Sequence, residues 1–121
     1  MSIRAKKTSG GNGRENDPTV LILTSLASGP KHGYALLLDI EEFAGVRLGP
    51  GTLYGAIGRL EERGLIKPLA ADGRVRPYRL TAQGSAALKT TLAELRTIVE
   101  EGTTRLRARV RSGVISSLGV A

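Results

Sequence analysis

Cysteine is absent from this sequence of 121 residues and histidine occurs once, which removes several classes of site. Without cysteine, disulfide bonds, thiolate metal sites and cysteine nucleophiles are excluded. His32 stands beside helix-forming sequence rather than in a metal-binding or catalytic motif, so a zinc site or a serine–histidine–aspartate triad would depend on that single residue. We therefore expect a protein that is not an enzyme and that uses no metal and no cofactor.

Long apolar segments are absent too. No apolar run in the sequence approaches the roughly 20 residues that a membrane-spanning helix needs. The N-terminal residues also lack the apolar region of a signal peptide. The sequence predicts a soluble, cytoplasmic protein without a membrane partner. A chain of this length forms one domain with a single modest core, with room for tails.

Negative charge is scarce relative to positive charge. The chain has 18 Lys and Arg residues against 11 Asp and Glu residues, which gives a formal charge of +7. Such an excess favours a polyanionic partner, because bound counterions are released when basic side chains meet phosphates. Double-stranded DNA is the leading candidate, and it implies association with the nucleoid.

The stretch from Gly49 to Ile66 predicts a short helix with two dissimilar faces. Pro50 suits the first helical position, where its missing N–H would have no partner, and Gly64 suits the stop. Apolar residues recur at spacings of four and three, so one stripe should pack inward. That stripe consists of Leu53, Ile57 and Leu60.

The other face of this helix is polar and rich in glycine. It carries Thr52, Gly55, Arg59 and Glu62, with Tyr54 near its border. Glycines at positions 55 and 58 weaken the helix by roughly 1 kcal/mol each relative to alanine, which suits a backbone that approaches another molecule closely. DNA phosphate is one candidate for that molecule. The alternative is an ordinary amphipathic surface helix.

Two more helices precede this one. Residues 18–28 predict a buried first helix capped by Asp17, and residues 32–43 predict a second. A short linker with glycine, residues 44–48, joins the second helix to the stretch described above. This order is the helix-turn-helix arrangement. At its position before the second helix, His32 is expected to serve as a cap or packing residue rather than a phosphate ligand.

A small β-hairpin should follow. Residues 65–71 and 74–80 predict two strands, and Asp72-Gly73 between them tolerates the positive φ angles of a two-residue turn. One proline in each strand limits ladder pairing, so the hairpin should be small. Arginines just past its tip suggest a wing that grips phosphates. The alternative is a charged hairpin that only faces solvent.

Three segments, in this order and spacing, complete the pattern: GPKHGYALLLDIE, PGTLYGAIGRLEERGLI and RPYRLTAQG. Together they resemble the PadR family of bacterial transcriptional regulators, which are winged helix-turn-helix proteins. The resemblance covers roughly Pro18 to Leu88, and the combination of GTLY, RLEERGLI and YRLT is specific. It implies a dimer that binds operator DNA, with the GTLY helix in the major groove and the hairpin as the wing.

The fold class is therefore predicted as mainly α with a small β-hairpin. Residues 1–17 are expected to be a flexible basic arm, and residues 18–81 a winged helix-turn-helix DNA-binding domain. Residues 82–111 are expected to form a C-terminal dimerisation helix, followed by a tail over 112–121. The arm either contacts DNA or remains a solvated tail.

We expect the DNA contacts to come from the reading helix, the wing and one turn. Arg59 is the best candidate base reader, because a guanidinium can bond guanine O6 and N7 together. The wing arginines and a lysine in the turn before the second helix should contact the backbone. The predicted DNA-binding set is Lys31, Pro50, Gly51, Thr52, Tyr54, Arg59, Arg74 and Arg76.

The last helix should begin at Thr81 and carry a heptad seam. Its predicted dimerisation residues are Leu88, Leu92, Leu95, Val99 and Leu106. A narrow apolar stripe favours pairing with the same helix of a second copy, and the alternative is that it folds back on its own domain. Gly102 and the threonines after it predict a bend or an end of the helix.

The sequence therefore predicts a homodimeric, sequence-specific regulator that acts at a palindromic operator. The resemblance implies that it is a repressor. Gly49, Gly55 and Gly58 depart from the residues common in the family, so shape and phosphate contacts should outweigh base readout. The chain has no tryptophan, which argues against the stacked-drug site of the family's drug-binding branch. The sequence leaves open whether the protein binds a smaller effector molecule. The alternatives are a non-specific architectural DNA-binding protein and a protein-interaction module.

Overall fold

The computed structural model describes residues 17–71 and 73–112. Its elements are α1 (Pro18–Leu26), α2 (Gly33–Ala44), α3 (Pro50–Glu62), β1 (Ile66–Pro68), β2 (Tyr78–Leu80) and α4 (Ala82–Ser112). The predicted basic arm before Asp17, the tail from residue 113 and Asp72 of the predicted turn lie outside the described residues. The chain divides into two compact units, Met1–Thr90 and Thr91–Ala121.

Side-chain caps set where the first two helices begin. The Asp17 carboxylate accepts a hydrogen bond from the Thr19 backbone N–H at 3.0 Å, which satisfies one of the donors left over at the start of α1. The Nδ1 atom of His32 accepts from the Ala35 N–H at 3.4 Å at the start of α2. Both caps confirm the sequence predictions. His32 therefore has a structural role at the helix start.

The core of the first unit is formed by three helices, with help from β1 and the start of α4. The stripe predicted on α3 is buried, together with Ala56 between its members. Each Leu or Ile side chain removed from water in this way contributes about 1.5–3 kcal/mol. The most deeply buried large side chains are Ile22, Leu36, Ile40, Leu53, Leu60 and Ile66.

The hairpin is shorter than the two strands predicted for residues 65–71 and 74–80. β1 and β2 pair antiparallel over three residues each, with Ile66 opposite Leu80. Pro68 and Pro77 have no N–H to donate, which limits the ladder as expected. The Leu69 N–H also donates to the Pro77 carbonyl at 2.8 Å, which extends the pairing beyond the strands.

The turn before α2 also pairs with the hairpin. The Lys31 N–H donates to the Tyr78 carbonyl at 3.1 Å, and the Tyr78 N–H donates to the Lys31 carbonyl at 2.9 Å. This isolated antiparallel bridge ties the start of α2 to β2. The wing is therefore attached to the helix-turn-helix by backbone bonds as well as by the chain itself.

Helix α4 has 31 residues, close to the range 82–111 expected from the sequence. It continues through Gly102 to Ser112, so of the bend or end predicted at that glycine the end is wrong. One glycine costs about 1 kcal/mol in a helix, and good helix formers precede Gly102 and follow the two threonines after it. Ion pairs on either side, from Arg96 to Glu100 at 3.7 Å and from Arg105 to Glu101 at 2.8 Å, also support the helical conformation.

At Gly84 the backbone of α4 lies close to the backbone of Leu65. A Cβ atom at this position would overlap the carbonyl oxygen of Leu65, which is fixed backbone. Thr81 caps the same turn, accepting from the Gly84 N–H at 3.0 Å and donating to the Gly64 carbonyl at 2.7 Å. The start of α4 is therefore held tightly against the end of the α3–β1 connection.

We expect Gly84→Ala to destabilise the protein by about 1–3 kcal/mol, because the backbone must shift to admit a methyl group. The matched control is Gly102→Ala in the same helix, where a Cβ would meet no described atom within 4 Å. That change should stabilise the protein by about 1 kcal/mol. Urea unfolding followed by circular dichroism measures both. Equal stability of Gly84→Ala and the parent would contradict the packing described.

Candidate nucleic-acid interface

The outward face of α3 is a strip of bare backbone bordered by a few longer side chains. Gly51, Gly55 and Gly58 follow at spacings of four and three, so they lie on one side of the helix. Among the described residues, no atom lies within 4 Å of a Cβ built on Gly51 or Gly58. The helix backbone itself can therefore come close to another molecule along this strip.

Arg59 borders the strip. Its Nη1 atom lies 3.6 Å from the place that a Cβ on Gly55 would take, so the guanidinium lies along the glycine strip. Thr52 and Arg59 are exposed. Pro50 occupies the first turn of the helix as predicted. Thr52 and Arg59 thus present hydrogen-bond donors beside a strip without side chains, a surface that can meet base edges in a major groove.

Tyr54 leaves α3 on the side of α2. Its side chain is 52% exposed. The hydroxyl and ring lie against Gly33, and a Cβ at that glycine would overlap them. Gly33, in the segment GPKHGYALLLDIE, leaves the space that this tyrosine occupies. A side chain from α3 therefore lies against the start of α2.

A cleft of about 510 Å³ opens between the start of α2, Tyr54 and the wing. It holds all three tyrosines of the chain, its single histidine and two wing arginines. We call it the tyrosine cleft. The described residues that line it are His32, Gly33, Tyr34, Tyr54, Arg74, Val75, Arg76 and Tyr78. None of these is acidic.

The hydroxyl of Tyr78 keeps its proton in this environment. Burial raises the pKa of the Tyr78 phenol above its usual value, and Glu61 and Tyr54 raise it further, while Arg76 lowers it. A phenol that stays neutral is a hydrogen-bond donor at any physiological pH. The cleft therefore presents donors without carboxylates among its described lining residues.

Both wing arginines lie at the surface of the described residues. Arg74 and Arg76 are exposed, and neither forms an ion pair or hydrogen bond with another described residue. The structure brings both to the same cleft as Tyr54. Arg79, further along β2, is also exposed but turns its guanidinium to the Leu80 carbonyl at 3.1 Å.

Lys31 lies apart from this group, and its phosphate contact stays a prediction. Its ammonium donates to the Ser25 carbonyl at 2.5 Å and to the Ser28 hydroxyl at 2.7 Å. Carbonyls at the end of a helix have no partner within the helix and attract cations. Lys31 thus closes the end of α1. Sequence position alone could not distinguish this use of the ammonium from a phosphate contact.

Sequence reasoning missed Tyr34 and Tyr78 as members of the site and assigned His32 only a capping role. A signal was present, because each of the three segments that carry the family resemblance contains one tyrosine. The pattern did not show that the three side chains meet. Their meeting depends on the bridge between the α2 turn and β2, which joins residues 47 positions apart along the chain, from Lys31 to Tyr78.

The predicted dimerisation seam separates into two groups. Leu88 is 6% exposed and belongs to the core of the first unit, so its assignment to a dimer interface is corrected. Leu95 is half-buried. Leu92, Val99 and Leu106 are 45%, 64% and 55% exposed and recur at spacings of seven along α4.

Within residues 17–71 and 73–112, no group of three His, Cys, Asp or Glu side chains is placed to hold a metal ion. None of the helices in that part of the chain combines the length and apolarity needed to cross a bilayer.

Three helices followed by a short antiparallel wing, with Arg59 exposed on the third helix and Arg74 and Arg76 exposed on the wing, define a winged helix-turn-helix DNA-binding fold. The model of the PadR-like family of transcriptional regulators matches residues 22–90 of the chain. The protein belongs to this family, which confirms the resemblance found in the sequence. The family consists of transcriptional regulators, and enzymatic activity is not its general property.

Relatives and solved structures agree with this assignment. The chain is 51% identical over 76 residues to an uncharacterized 37.1 kDa protein in transposon TN4556 of Streptomyces fradiae, covering 63% of this chain and 22% of that protein. It is 41% identical over 70 residues to the transcriptional regulator Rv3488 of Mycobacterium tuberculosis, covering 55% and 64%. The chain therefore spans less than two thirds of either relative.

A solved PadR family transcription regulator from Clostridium difficile R20291 has the same fold. The TM-score is 0.67 at 26% identity, and the match covers 74% of this chain and 97% of that one. The mainly helical fold with its two-stranded hairpin and long C-terminal helix is thus confirmed as that of PadR winged-helix proteins.

Proposed function

We propose that the protein is a homodimeric, sequence-specific transcriptional regulator that represses genes at a palindromic operator. The observation that carries the proposal is the face shared by α3 and the wing, where exposed Arg59, Arg74 and Arg76 accompany a strip of bare helix backbone. The net charge of +7 supports a polyanionic partner. The compartment is the cytoplasm, at the nucleoid.

In this proposal α3 enters the major groove with the glycine strip facing the base edges. Arg59 reads a guanine through O6 and N7, and Thr52 reaches a neighbouring base or phosphate. Pro50 and Gly51 bring the start of the helix close to a strand. Because the strip has no side chains, much of the sequence preference comes from groove shape and from the few long side chains at its border.

A palindromic operator has two half-sites, so the proposal requires two copies of the protein. The support is the apolar side of α4, where Leu92, Val99 and Leu106 are exposed at spacings of seven. Side chains at such spacing lie on one side of a helix and form the seam of a coiled coil. Paired copies place two reading helices about 34 Å apart, which matches successive turns of the major groove in a palindromic site.

The wing contributes through phosphate contacts, which makes a direct prediction. Replacing Arg74 and Arg76 together with alanine should make the negative slope of log affinity against log salt shallower by about 1.8, since each lost phosphate contact changes it by about 0.9. Fluorescence anisotropy of a labelled duplex at several salt concentrations measures the slope.

The matched control for the wing variant removes two arginines elsewhere. Arg96→Ala with Arg105→Ala changes the net charge equally but affects side chains that are ion-paired along α4. Its slope should stay close to that of the parent. If the slope of the wing variant equals the slope of the control variant, the wing does not contact DNA phosphates.

Genome-wide mapping of bound DNA, followed by competition, tests the function itself. A specific regulator should occupy a few sites, including one upstream of its own gene, and should retain the recovered duplex in excess unrelated DNA. Uniform occupancy with no retention would indicate an architectural DNA-binding protein instead. Absence of any duplex binding would indicate a module that binds an acidic protein. Without tryptophan, an effector would have to be recognised other than by indole stacking.

A further inference from the structure

We propose that the tyrosine cleft is an effector site for a free guanine nucleotide, which places its phosphate at Arg74 and Arg76 and its base on the tyrosine rings. The inference rests on the proposed function, to which it adds a regulatory ligand. The cleft has a volume of about 510 Å³. Clefts of about 300–1,000 Å³ are the usual sites of small-molecule ligands.

The wing arginines suit the phosphate of such a ligand. Arg74 and Arg76 both line the cleft and are exposed, and neither forms a hydrogen bond or ion pair with another described residue. Their guanidinium groups offer several N–H donors in a geometry that matches phosphate oxygens. A phosphate monoester carries close to two negative charges at neutral pH, which two arginines balance.

The tyrosines suit a flat ring. Tyr34, Tyr54 and Tyr78 all line the cleft, and the first two are 64% and 52% exposed. Aromatic side chains bind nucleobases by stacking, since every base has an aromatic face. Inorganic phosphate alone would leave these rings uncovered. A ligand that joins a flat ring to a phosphate uses both the rings and the arginines.

Glu61 adds a carboxylate to this region, although it does not line the cleft itself. It follows Tyr54 by seven residues and so lies on the same side of α3. Burial and the charge of Glu61 raise the pKa of the Tyr78 phenol, while Arg76 lowers it, so Tyr78 lies within electrostatic reach of both charges. Glu61 is exposed, and its carboxylate has no hydrogen bond or ion pair with another described residue.

The DNA contacts do not explain this carboxylate, because it would repel the phosphates of a nearby strand. A hydrogen-bond acceptor next to aromatic rings instead favours a base that presents donors. Guanine presents two adjacent donors, the N1 and N2 hydrogens, to the two oxygens of a carboxylate, whereas adenine presents one donor beside an acceptor nitrogen. Glu61 therefore selects guanine in this proposal.

Occupation of the cleft should release the operator, because Arg74 and Arg76 cannot hold a nucleotide phosphate and DNA phosphates together. Saturating GMP should weaken duplex binding by about tenfold or more and make its salt slope shallower by up to about 1.8. By linkage, saturating duplex should weaken GMP binding by the same factor. Duplex affinity that is equal with and without GMP would overturn the role as an effector site.

Fluorine NMR of the DNA-free protein containing 3-fluorotyrosine tests binding directly. The chain has three tyrosines and all line the cleft, so three resonances report on it, and Tyr→Phe variants assign them. GMP should shift the Tyr34 resonance saturably. Guanosine, inorganic phosphate and AMP should each require about tenfold higher concentration or more, because each lacks one set of contacts. Unmoved resonances at millimolar GMP, or equal binding of inorganic phosphate, would overturn the proposal.

Glu61→Gln should weaken GMP binding by about tenfold and remove the preference over AMP, since it loses a charged acceptor but keeps the size of the side chain. Glu62→Gln, the next residue of the same helix and also exposed, is the matched control and should bind GMP as the parent does. An unchanged ratio of GMP to AMP affinity in Glu61→Gln would overturn the assignment of the base.

The duplex serves as the last probe, because guanine also occurs in DNA. Saturating duplex should return the Tyr34 resonance of the GMP complex to its free position. A resonance that stays at the bound position would contradict the competition, and a duplex that by itself shifts Tyr34 as GMP does would assign the cleft to DNA. Failure of the proposed function would appear separately, as no duplex binding by anisotropy while GMP still binds.

Discussion

Leu92→Asp combined with Val99→Asp should convert the protein from dimer to monomer in sedimentation experiments at micromolar concentration. Both side chains are exposed in the single chain, so the substitutions leave the core of the first unit intact. In a paired α4 seam, however, they would place two carboxylates from each copy in an apolar contact. Burial of an unpaired charge costs several kcal/mol, which exceeds what a short seam can offset.

The control uses the same chemistry on the other side of the helix. Thr97→Asp with Thr104→Asp also introduces two aspartates seven residues apart, about half a helical turn away from the seam. This variant should remain dimeric. Circular dichroism should show equal helix content in the two variants. Dimers that persist in the Leu92 and Val99 variant would place the interface on another surface.

Loss of the dimer should also reduce operator affinity. Linking two half-site contacts makes the second contact intramolecular, and this gain is commonly between 10² and 10⁴. We therefore expect the monomeric variant to bind the mapped duplex at least roughly 100-fold more weakly. Binding to an isolated half-site should be unchanged. Full operator affinity in a proven monomer would contradict the palindromic arrangement.

Arg59→Ala should weaken operator binding by about 1–3 kcal/mol and relax the preference at one base pair of each half-site. Arg59 is exposed and lies along the glycine strip, where its guanidinium has access to base edges. A set of duplexes with every single base substitution, measured by competition, identifies the position. At that position the variant should bind all four base pairs with similar affinity.

Arg59→Lys is the sharper comparison, because it keeps the charge and removes the bidentate fork. It should retain the salt dependence of the parent while losing the preference for guanine. Gly55→Ala probes the same side chain without removing it, because the added methyl group would lie 3.6 Å from the Arg59 Nη1 atom. If Arg59→Ala weakens all duplexes by the same factor, Arg59 contacts phosphate and base reading belongs to other residues.

Local sequence patterns predicted the elements well, because the interactions that set helix ends act over a few residues. Asp17 and Thr81 cap their helices as expected. Gly64, with φ of +75°, ends the segment after α3. The same holds for the inward stripe of α3, since a helix places residues three and four apart on one face. The family resemblance could also be recognised in the sequence, because each of its motifs is a contiguous segment.

Interactions between distant segments were decided only by the tertiary structure. The sequence did not show that the Lys31 ammonium lies at the carbonyls that end α1, which the fold brings next to it. Leu88 fitted a heptad seam, but the packing of the first unit buries it.

The three tyrosines lie in three separate segments, and a backbone bridge between the α2 turn and β2 gathers them around one cleft. By itself the sequence determined the helices, their caps and the family. Which side chains face a partner depended on contacts between residues far apart along the chain, and no local pattern encodes those contacts.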